Sequence, residues 1–208
     1  DKIINSMQAA ALDVGCERPL REEVRDIIGL GLMEAVVQLF PTLEPATQEG
    51  LANRYRQHFL LENTTPSPLF PEAREVLQHL TGQGYLLGVA TGKSRRGLNQ
   101  SLVASGLQDY FQATRCADET FSKPHPEMLL QLMDELGVRP AETLMIGDTE
   151  YDMEMAGNAG AYALGVSYGV HPCDRLSRHP ALGCLERLGD LPGWLESYLS
   201  RDGRRPGA

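Results

Sequence analysis

Apolar residues in the first 63 positions recur at the spacing of a helix. Two such groups occur before position 29, and a third apolar segment covers residues 32–40, which Pro41 ends. A long amphipathic segment follows at residues 47–61. No run alternates with the two-residue period of a strand, so this part is predicted to be all helical. The first two groups consist of Ile3, Ile4, Met7, Ala11, Val24, Ile27 and Ile28.

Beyond Pro71, short apolar runs alternate with helical patterns. Strands are predicted at residues 85–90, 112–116, 143–146 and 161–166, with a short fifth strand at 182–185. Helices are predicted at 71–81, from 95 onward, and at 126–136, 151–158 and 191–199. Strands separated by helices are typical of a parallel sheet with helices on both faces. The predicted fold class is therefore α/β, with a doubly wound parallel sheet.

The two patterns meet in a proline-rich segment at residues 64–71. Its prolines fix backbone angles and prevent a continuous helix, so we interpret it as a linker. The predicted organisation is a helical cap subdomain at residues 1–66 and a Rossmann-like core at 67–200. A Gly/Arg/Pro-rich tail at 201–208 is expected to be flexible.

The composition is that of an ordinary globular protein, with 42% apolar and 23% charged residues. Acidic residues outnumber basic ones 28 to 19, and the basic residues are scattered, which does not favour nucleic acid as a partner. The sequence has neither an apolar run of about 18 residues nor a signal-peptide pattern, which predicts no membrane association and a cytoplasmic location. No pattern specifies an oligomeric state.

The four cysteines, Cys16, Cys116, Cys173 and Cys184, are widely spaced. None forms a C-x-x-C pair or has a histidine neighbour at the spacing of zinc ligands. We therefore predict that all four are free structural thiols.

The first candidate for chemistry is Thr91-Gly92-Lys93-Ser94, which follows a predicted strand and opens a helix. Ligands of open parallel sheets bind beyond the carboxyl ends of the strands, and free N–H groups at a helix start can hold an anion. Thr91 could donate its hydroxyl to a phosphoryl oxygen. Alternatively, Thr91 and Ser94 are only turn and N-cap residues.

The second candidate is Lys123, which stands between Ser122 and Pro124 with Pro126 close behind. Prolines on its C-terminal side make the loop rigid, so its ammonium group has a fixed direction. The ammonium could neutralise a phosphoryl oxygen or a carboxylate. The alternative is a solvated charge beside a proline that begins a helix.

The third candidate is Gly147-Asp148-Thr149-Glu150-Tyr151-Asp152, in which Asp148 ends a buried strand and Asp152 follows four residues later. Both carboxylates fall near the start of one helix. Carboxylate oxygens suit Mg²⁺, which takes one or two protein carboxylates together with substrate phosphate. Asp148 and Asp152 are therefore candidate metal ligands, with hydrogen bonding around the metal site as the alternative for Asp152.

Taken in order, these three motifs resemble those of the haloacid dehalogenase superfamily. Val89-Ala90-Thr91-Gly92, Lys123-Pro124-x-Pro126 and Gly147-Asp148-x-x-x-Asp152 match its second, third and fourth motifs. The helical region before Pro66 is similar to the small cap of the phosphoglycolate-phosphatase-like branch. The resemblance therefore covers nearly the whole chain.

This resemblance implies Mg²⁺-dependent phosphoryl transfer on a small phosphorylated metabolite. It implies that Thr91, Lys123 and Asp148 are catalytic, that Thr91, Gly92, Lys93 and Lys123 bind substrate, and that Asp148 and Asp152 serve the metal. In such enzymes a separate aspartate attacks phosphorus and forms an aspartyl-phosphate.

The attacking aspartate belongs to a first motif, D-x-D-G-T, which this sequence does not contain. In the family the motif ends a central strand just before the cap, so we expect that strand and the nucleophile upstream of residue 1. Without them the chain is expected to lack activity and to leave two sheet edges unpaired.

Several functional alternatives stay open at this stage. A sugar phosphomutase or a pyrophosphatase of the same superfamily has nearly the same motifs, and a catalytically inert phosphate-binding module would explain the absent nucleophile. Substrate choice is expected to reside in the cap, around Gly29-Leu30-Gly31. For the nearby Arg18, Arg21 and Arg25, a solvated helix face is favoured over a substrate role.

Overall fold

The structure, a computed structural model, describes residues 1–65 and 68–201. In chain order the α-helices are α1 (Lys2–Asp13), α2 (Arg21–Asp26), α3 (Leu32–Leu39), α4 (Pro45–Gln57), α5 (Ala73–Gly82), α6 (Arg95–Ser105), α7 (Glu127–Leu136), α8 (Glu150–Asn158), α9 (Cys173–Leu176) and α10 (Leu191–Arg201). The strands are β1 (Gly88–Thr91), β2 (Ala113–Cys116), β3 (Leu144–Gly147), β4 (Tyr162–Val166) and β5 (Cys184–Leu185).

The first four helices enclose a hydrophobic core of their own. Its members come from the apolar positions that recur at helical spacing in the sequence, and they include Met7, Val24, Val36 and Leu51, each at most 1% exposed. Helix α4 begins with Pro45 in its first turn and ends at Gln57, after which His58–Glu62 form a π-helical turn. The amphipathic segment predicted at residues 47–61 is therefore helical, but not one continuous α-helix.

Parallel strands form the rest of the framework. Strand β1 pairs with β2, with Thr91 opposite Cys116, and β3, β4 and β5 pair in that order. Within the described residues these are two separate sheets, because β1 and β3 have no ladder between them. The predicted α/β class with a helical cap is confirmed.

Helices cover both faces of the strands, as the doubly wound pattern predicted. On one face α7, α8 and α9 pack against β2 and β4 through residues such as Met128, Met153 and Leu176. On the other, α5 and α10 pack against β4 and β5. Neighbouring residues of β4 face opposite layers, since Ala163 lies in the first core and Leu164 in the second.

Element boundaries differ from the predicted ones by a few residues. Strand β1 begins at Gly88 rather than at position 85 and includes Thr91. The predicted subdomain boundary at 66 and 67 and most of the predicted tail lie outside the described residues. No helix in residues 1–65 or 68–201 is both long enough and apolar enough to cross a membrane.

One amide, that of Asn63, joins the two ends of the helical unit. Its Nδ2 donates to the carbonyl of Lys2 at 3.1 Å and to Ser6 Oγ at 2.9 Å, at the start of α1. Its Oδ1 accepts the N–H of Thr65 at 2.9 Å, in the segment that leads toward the core. The start of α1 and the connecting segment are thereby held side by side.

The prediction of four free thiols is wrong for two of them. Cys173 and Cys184 form a disulfide, with Cα atoms 6.0 Å apart, while Cys16 and Cys116 are free. The sequence shows no motif because the pairing depends on the fold: α9 places Cys173 beside β5, which contains Cys184.

This disulfide is expected to be detectable by thiol counting. In the denatured chain two thiols should react before reduction and four afterwards. Because the bond restricts the unfolded chain over 11 residues, reduction should lower the free energy of unfolding by about 3 kcal/mol. In a Cys173→Ser variant, reductant should not change the melting temperature. Four reactive thiols in the unreduced wild type would contradict the pairing.

Candidate active site

A buried ion pair lies at the centre of the candidate site. Lys123 Nζ donates to Asp152 Oδ1 at 2.5 Å, and the two side chains are only 7% and 4% exposed. The second carboxylate oxygen of Asp152 accepts the backbone N–H of Thr149 at 3.1 Å and its hydroxyl at 2.8 Å. Asp152 therefore caps α8 and holds the Lys123 ammonium at the same time.

Asp148 follows β3 directly and lies beside this pair. Its Oδ2 accepts the N–H of Val170 at 3.0 Å, and its carbonyl accepts the N–H of His171 at 2.9 Å. Burial raises the pKa of the Asp148 carboxyl above its ordinary value, with a further contribution from the negative charge of Asp152. A cation at this position would relieve both effects.

Gly147 allows the two aspartates to lie so close to the strand end. A Cβ atom at this position would collide with the side chain of Asp152. The Gly-Asp order of the motif therefore has a steric reason: the residue before Asp148 must leave room for the carboxylate that holds Lys123.

The donor set fits Mg²⁺ with Asp148 as the direct protein ligand. In the part of the chain that the structure describes, no three His, Cys, Asp or Glu side chains form a metal-holding group. Mg²⁺ does not require one, because it keeps several waters and uses one or two carboxylates with substrate phosphate. Both oxygens of Asp152 already accept hydrogen bonds, which favours an indirect role for that residue.

Thr91 ends β1, with its hydroxyl in the turn that follows. The Oγ atom accepts the N–H of Lys93 at 3.2 Å, which leaves the hydroxyl proton available for donation. Two N–H groups at the start of helix α6 already have partners: Ser94 caps the N–H of Gly97, as the alternative reading predicted, and Asp118 accepts the N–H of Arg95 at 2.9 Å. These two N–H groups are therefore not free to hold an anion.

The side chain of Lys93 extends toward the cap. Its ammonium lies 4.9 Å from the centre of the Phe59 ring, and the ammonium of Lys2 lies 5.0 Å from the same ring. Burial lowers the pKa of Lys93, and the nearby positive charge of Lys2 lowers it further. Two like charges therefore lie over one aromatic ring near the turn that follows β1.

The loop Gly29–Gly31 reaches from the cap into this site. The N–H of Gly31 donates to Ser122 Oγ at 2.5 Å, next to Lys123. The same loop covers the turn after β1, because a Cβ at Gly92 would stand 2.5 Å from the carbonyl oxygen of Leu30. The cap is closed over the residues that follow β1 and precede α7.

A methyl group at Gly92 is expected to disturb this closure. Gly92→Ala places a carbon against backbone atoms that cannot easily move, which should lower the free energy of unfolding by about 1–3 kcal/mol. Gly50, inside α4 with nothing near its Cβ position, provides the control, and Gly50→Ala should raise stability by about 0.5–1 kcal/mol. Urea unfolding measures both, and shifts of the same sign would contradict the predicted contact.

A second cap-to-core contact was not predicted. Arg25 donates to the carbonyls of Val170 and Gly169, and Asp26 forms an ion pair with Arg175. Arg18 and Arg21, the other two arginines named near this loop, stay within the cap, since Arg18 donates to Gln8 and Arg21 to Asp1 and Asn5. Sequence separations near 145 residues left no local signal for these pairs, whereas the Thr149–Asp152 spacing is a capping-box signal.

Comparison with known proteins agrees with this architecture. A family model described as haloacid dehalogenase-like hydrolase matches residues 1–166. The chain is 37% identical over 201 residues to "Probable phosphatase IndB" of Dickeya dadantii, covering 95% of this chain and 87% of that protein. It is 30% identical over 172 residues to "Pyrophosphatase PpaX" of Bacillus cereus, covering 82% and 78% respectively. A solved structure from Bacteroides fragilis, "Putative haloacid dehalogenase-like hydrolase", has a TM-score of 0.85 at 26% identity and covers 91% of each chain.

Proposed function

The chain belongs to the haloacid dehalogenase-like hydrolase family, and from that membership we propose that it hydrolyses a small phosphorylated metabolite with the help of Mg²⁺. It is a phosphatase-type enzyme. The observation that carries the proposal is the buried Lys123–Asp152 pair beside Asp148. A lysine and two carboxylates, of which Asp148 directly follows a strand, form the charge pattern that a phosphoryl group and a divalent cation require.

Each residue has a distinct task in this proposal. Thr91 donates its hydroxyl to a phosphoryl oxygen. The N–H of Gly92 lies in the same turn, while that of Lys93 donates to Thr91 Oγ and orients the hydroxyl. Lys123 neutralises charge on the phosphoryl group, and Asp152 keeps its ammonium in position. Asp148 binds Mg²⁺, which when bound stabilises negative charge on the phosphoryl oxygens.

The nucleophile is proposed to be an aspartate encoded upstream of residue 1. Its expected place is the end of a strand between β1 and β3, and the assignment of these strands to separate sheets supports that place. Thr91 and Asp148, which end or follow those two strands, would then stand on either side of it. Attack of this aspartate's carboxylate on phosphorus would break the bond to the ester oxygen, which leaves as the alcohol after taking a proton from water. The resulting aspartyl-phosphate would then be hydrolysed by water to inorganic phosphate and the free aspartate.

A pyrophosphatase is the second candidate, and one observation favours it. Lys2 and Lys93 place two ammonium groups near the phosphate-binding turn, and no carboxylate in residues 1–65 or 68–201 lies within 4.0 Å of either. A second phosphoryl group would supply the missing negative charge. The similar Bacillus cereus protein is named as a pyrophosphatase.

Phosphate release by the full-length natural protein distinguishes the two candidate functions, a phosphomonoester phosphatase and a pyrophosphatase. The assay compares p-nitrophenyl phosphate, phosphoglycolate and inorganic pyrophosphate, each with Mg²⁺ or with EDTA. Phosphate release from the monoesters supports the first proposal, and release from pyrophosphate alone supports the second. An isomerised sugar phosphate from β-glucose 1-phosphate would identify a mutase. Tight vanadate binding without turnover of any substrate would instead indicate an inert phosphate-binding module.

The proposed location is the cytoplasm, where a phosphorylated metabolite would be available. In a reducing compartment the disulfide between Cys173 and Cys184 would be open to reduction. Because neither residue belongs to the proposed site, their redox state should not change turnover.

A further inference from the structure

One guanidinium, that of Arg175, joins the cap to the core. Arg175 lies in α9 and forms ion pairs with Asp26, the last residue of α2 in the cap, and with Glu150, in the first turn of α8. The three side chains are 23%, 49% and 21% exposed, so the bridge is partly shielded from solvent. The planar guanidinium group of Arg175 can donate to two carboxylates at once.

The backbone of Asp26 is held as well. Carbonyls in the last turn of a helix have no partner within the helix and need one from outside. The Asp26 carbonyl accepts the hydroxyl of Tyr151 at 3.0 Å and lies 3.3 Å from His171 Nε2. Because His171 Nδ1 accepts the N–H of Glu150 at 3.0 Å, the ring proton lies on Nε2 and is donated to Asp26.

The neighbouring residue Arg25 forms hydrogen bonds to the core loop at residues 169–171. Its Nε donates to the carbonyl of Val170 at 3.1 Å, and its guanidinium also donates to the carbonyl of Gly169 at 3.2 Å. The same loop also binds Asp148: the N–H of Val170 donates to its carboxylate, and the N–H of His171 donates to its backbone carbonyl. The cap therefore binds one side of a peptide segment whose other side orients the proposed metal ligand.

We propose that Arg25, Asp26 and Arg175 form a latch that positions Asp148 through the loop at residues 169–171 when the cap closes. The three are positioning residues, since they contact neither the phosphoryl site nor the metal directly. When the cap opens, the loop carbonyls lose Arg25 and the core loses its bridge at Arg175, so the loop gains freedom. Only the closed cap then holds Asp148 in its productive orientation. This role of Asp148 rests on the proposed function.

The amide protons of Val170 and His171 report directly on this coupling, because they are the ones bonded to Asp148. Hydrogen exchange is measured on the full-length, metal-free protein for wild type, Asp26→Asn, Arg175→Gln and the double variant. Each single variant should exchange these amides about 2- to 30-fold faster. The double variant should add little to the larger single effect, because both changes break the same bridge.

Two further variants separate the latch from a general loss of stability. Arg187→Gln removes an exposed arginine whose partners, Glu72 and Asp190, both lie in the core, and it should leave exchange at the loop unchanged. Arg175→Lys keeps the charge but cannot serve two carboxylates equally, and it should give an intermediate exchange rate.

Turnover provides the second measurement. The Mg²⁺ concentration for half-maximal activity should rise by about the same 2- to 30-fold in Asp26→Asn and Arg175→Gln, with little change in KM for substrate. Unchanged exchange at the loop in both variants, or single effects that simply multiply in the double variant, would overturn the latch. Faster exchange in a protein that hydrolyses none of the tested substrates would keep the latch and reject the proposed function.

Discussion

Replacing Lys123 by methionine is expected to abolish most of the activity and to destabilise the fold. The substitution removes the positive charge proposed to meet the phosphoryl group, and the loss of such a group costs at least about 100-fold in kcat. It also leaves the Asp152 carboxylate buried without its partner. Breaking a buried ion pair from one side costs about 3–5 kcal/mol. Phosphate release and urea unfolding measure the two effects.

A second substitution separates those two effects. In Lys123→Met/Asp152→Asn the buried negative charge is gone, while the asparagine oxygen can still accept from Thr149. Much of the lost stability should return, but the activity should not. The exposed pair of Arg139 and Glu142 serves as the control, and Arg139→Met should change neither quantity measurably. An active Lys123→Met enzyme would exclude the role proposed for this lysine.

Replacing Asp148 by asparagine is expected to shift activity and metal-free stability in opposite directions. Removing the carboxylate removes the proposed Mg²⁺ ligand, and metal stabilisation of a phosphoryl transition state is worth at least about 100-fold. The same change removes a charge that burial and Asp152 disfavour. Metal-free Asp148→Asn should therefore unfold at higher urea concentration than wild type at neutral pH.

The pH dependence of this effect has a definite sign. The pKa of Asp148 is raised in the folded protein, so the folded state binds the proton more tightly than the unfolded state does. In the metal-free wild type the Asp148 carboxyl should consequently contribute a loss of stability as pH rises from its ordinary value of 3.8 through the raised folded value. Asp148→Asn should lack that loss, whereas the exposed Asp109→Asn should retain it.

Magnesium supplies a further contrast between the variants. A ligand that binds only the folded state raises its stability by mass action, so Mg²⁺ should stabilise wild type and Asp109→Asn. It should have little effect on Asp148→Asn. Equal stabilisation of all three proteins by Mg²⁺ would show that the cation binds elsewhere.

The alternation of apolar runs and helical patterns was sufficient to predict the fold class. Buried strands such as β4 have continuous apolar sequence, and each helix between strands repeats at helical spacing. The limits of the elements were harder to predict, because they depend on pairing. Strand β1 begins only where Gly88 pairs with Ala113 of β2. Tyr85 and Leu87 belong to the same apolar run but precede the first paired residue.

Candidate site residues were predictable where a strand end marked them. The distinction between Asp148 and Asp152 was not, because both lie near the start of α8. Only the structure shows that the carboxylate oxygens of Asp152 accept hydrogen bonds from Lys123 and Thr149, which are 29 and three residues away in sequence. The same holds for the disulfide between Cys173 and Cys184 and for the ion pair between Asp26 and Arg175. Both contacts depend on how the fold brings distant segments together, which no local sequence pattern indicates.

The amide of Asn63 has a consequence for how the cap can move. It ties the first turn of α1 to the segment at Thr65, so the two ends of the helical unit share one anchor. Because they are held side by side, the two ends are expected to move together when the cap opens. We therefore expect the cap to open as one unit, so that Gly31 leaves Ser122 and Arg25 leaves Val170 in the same movement.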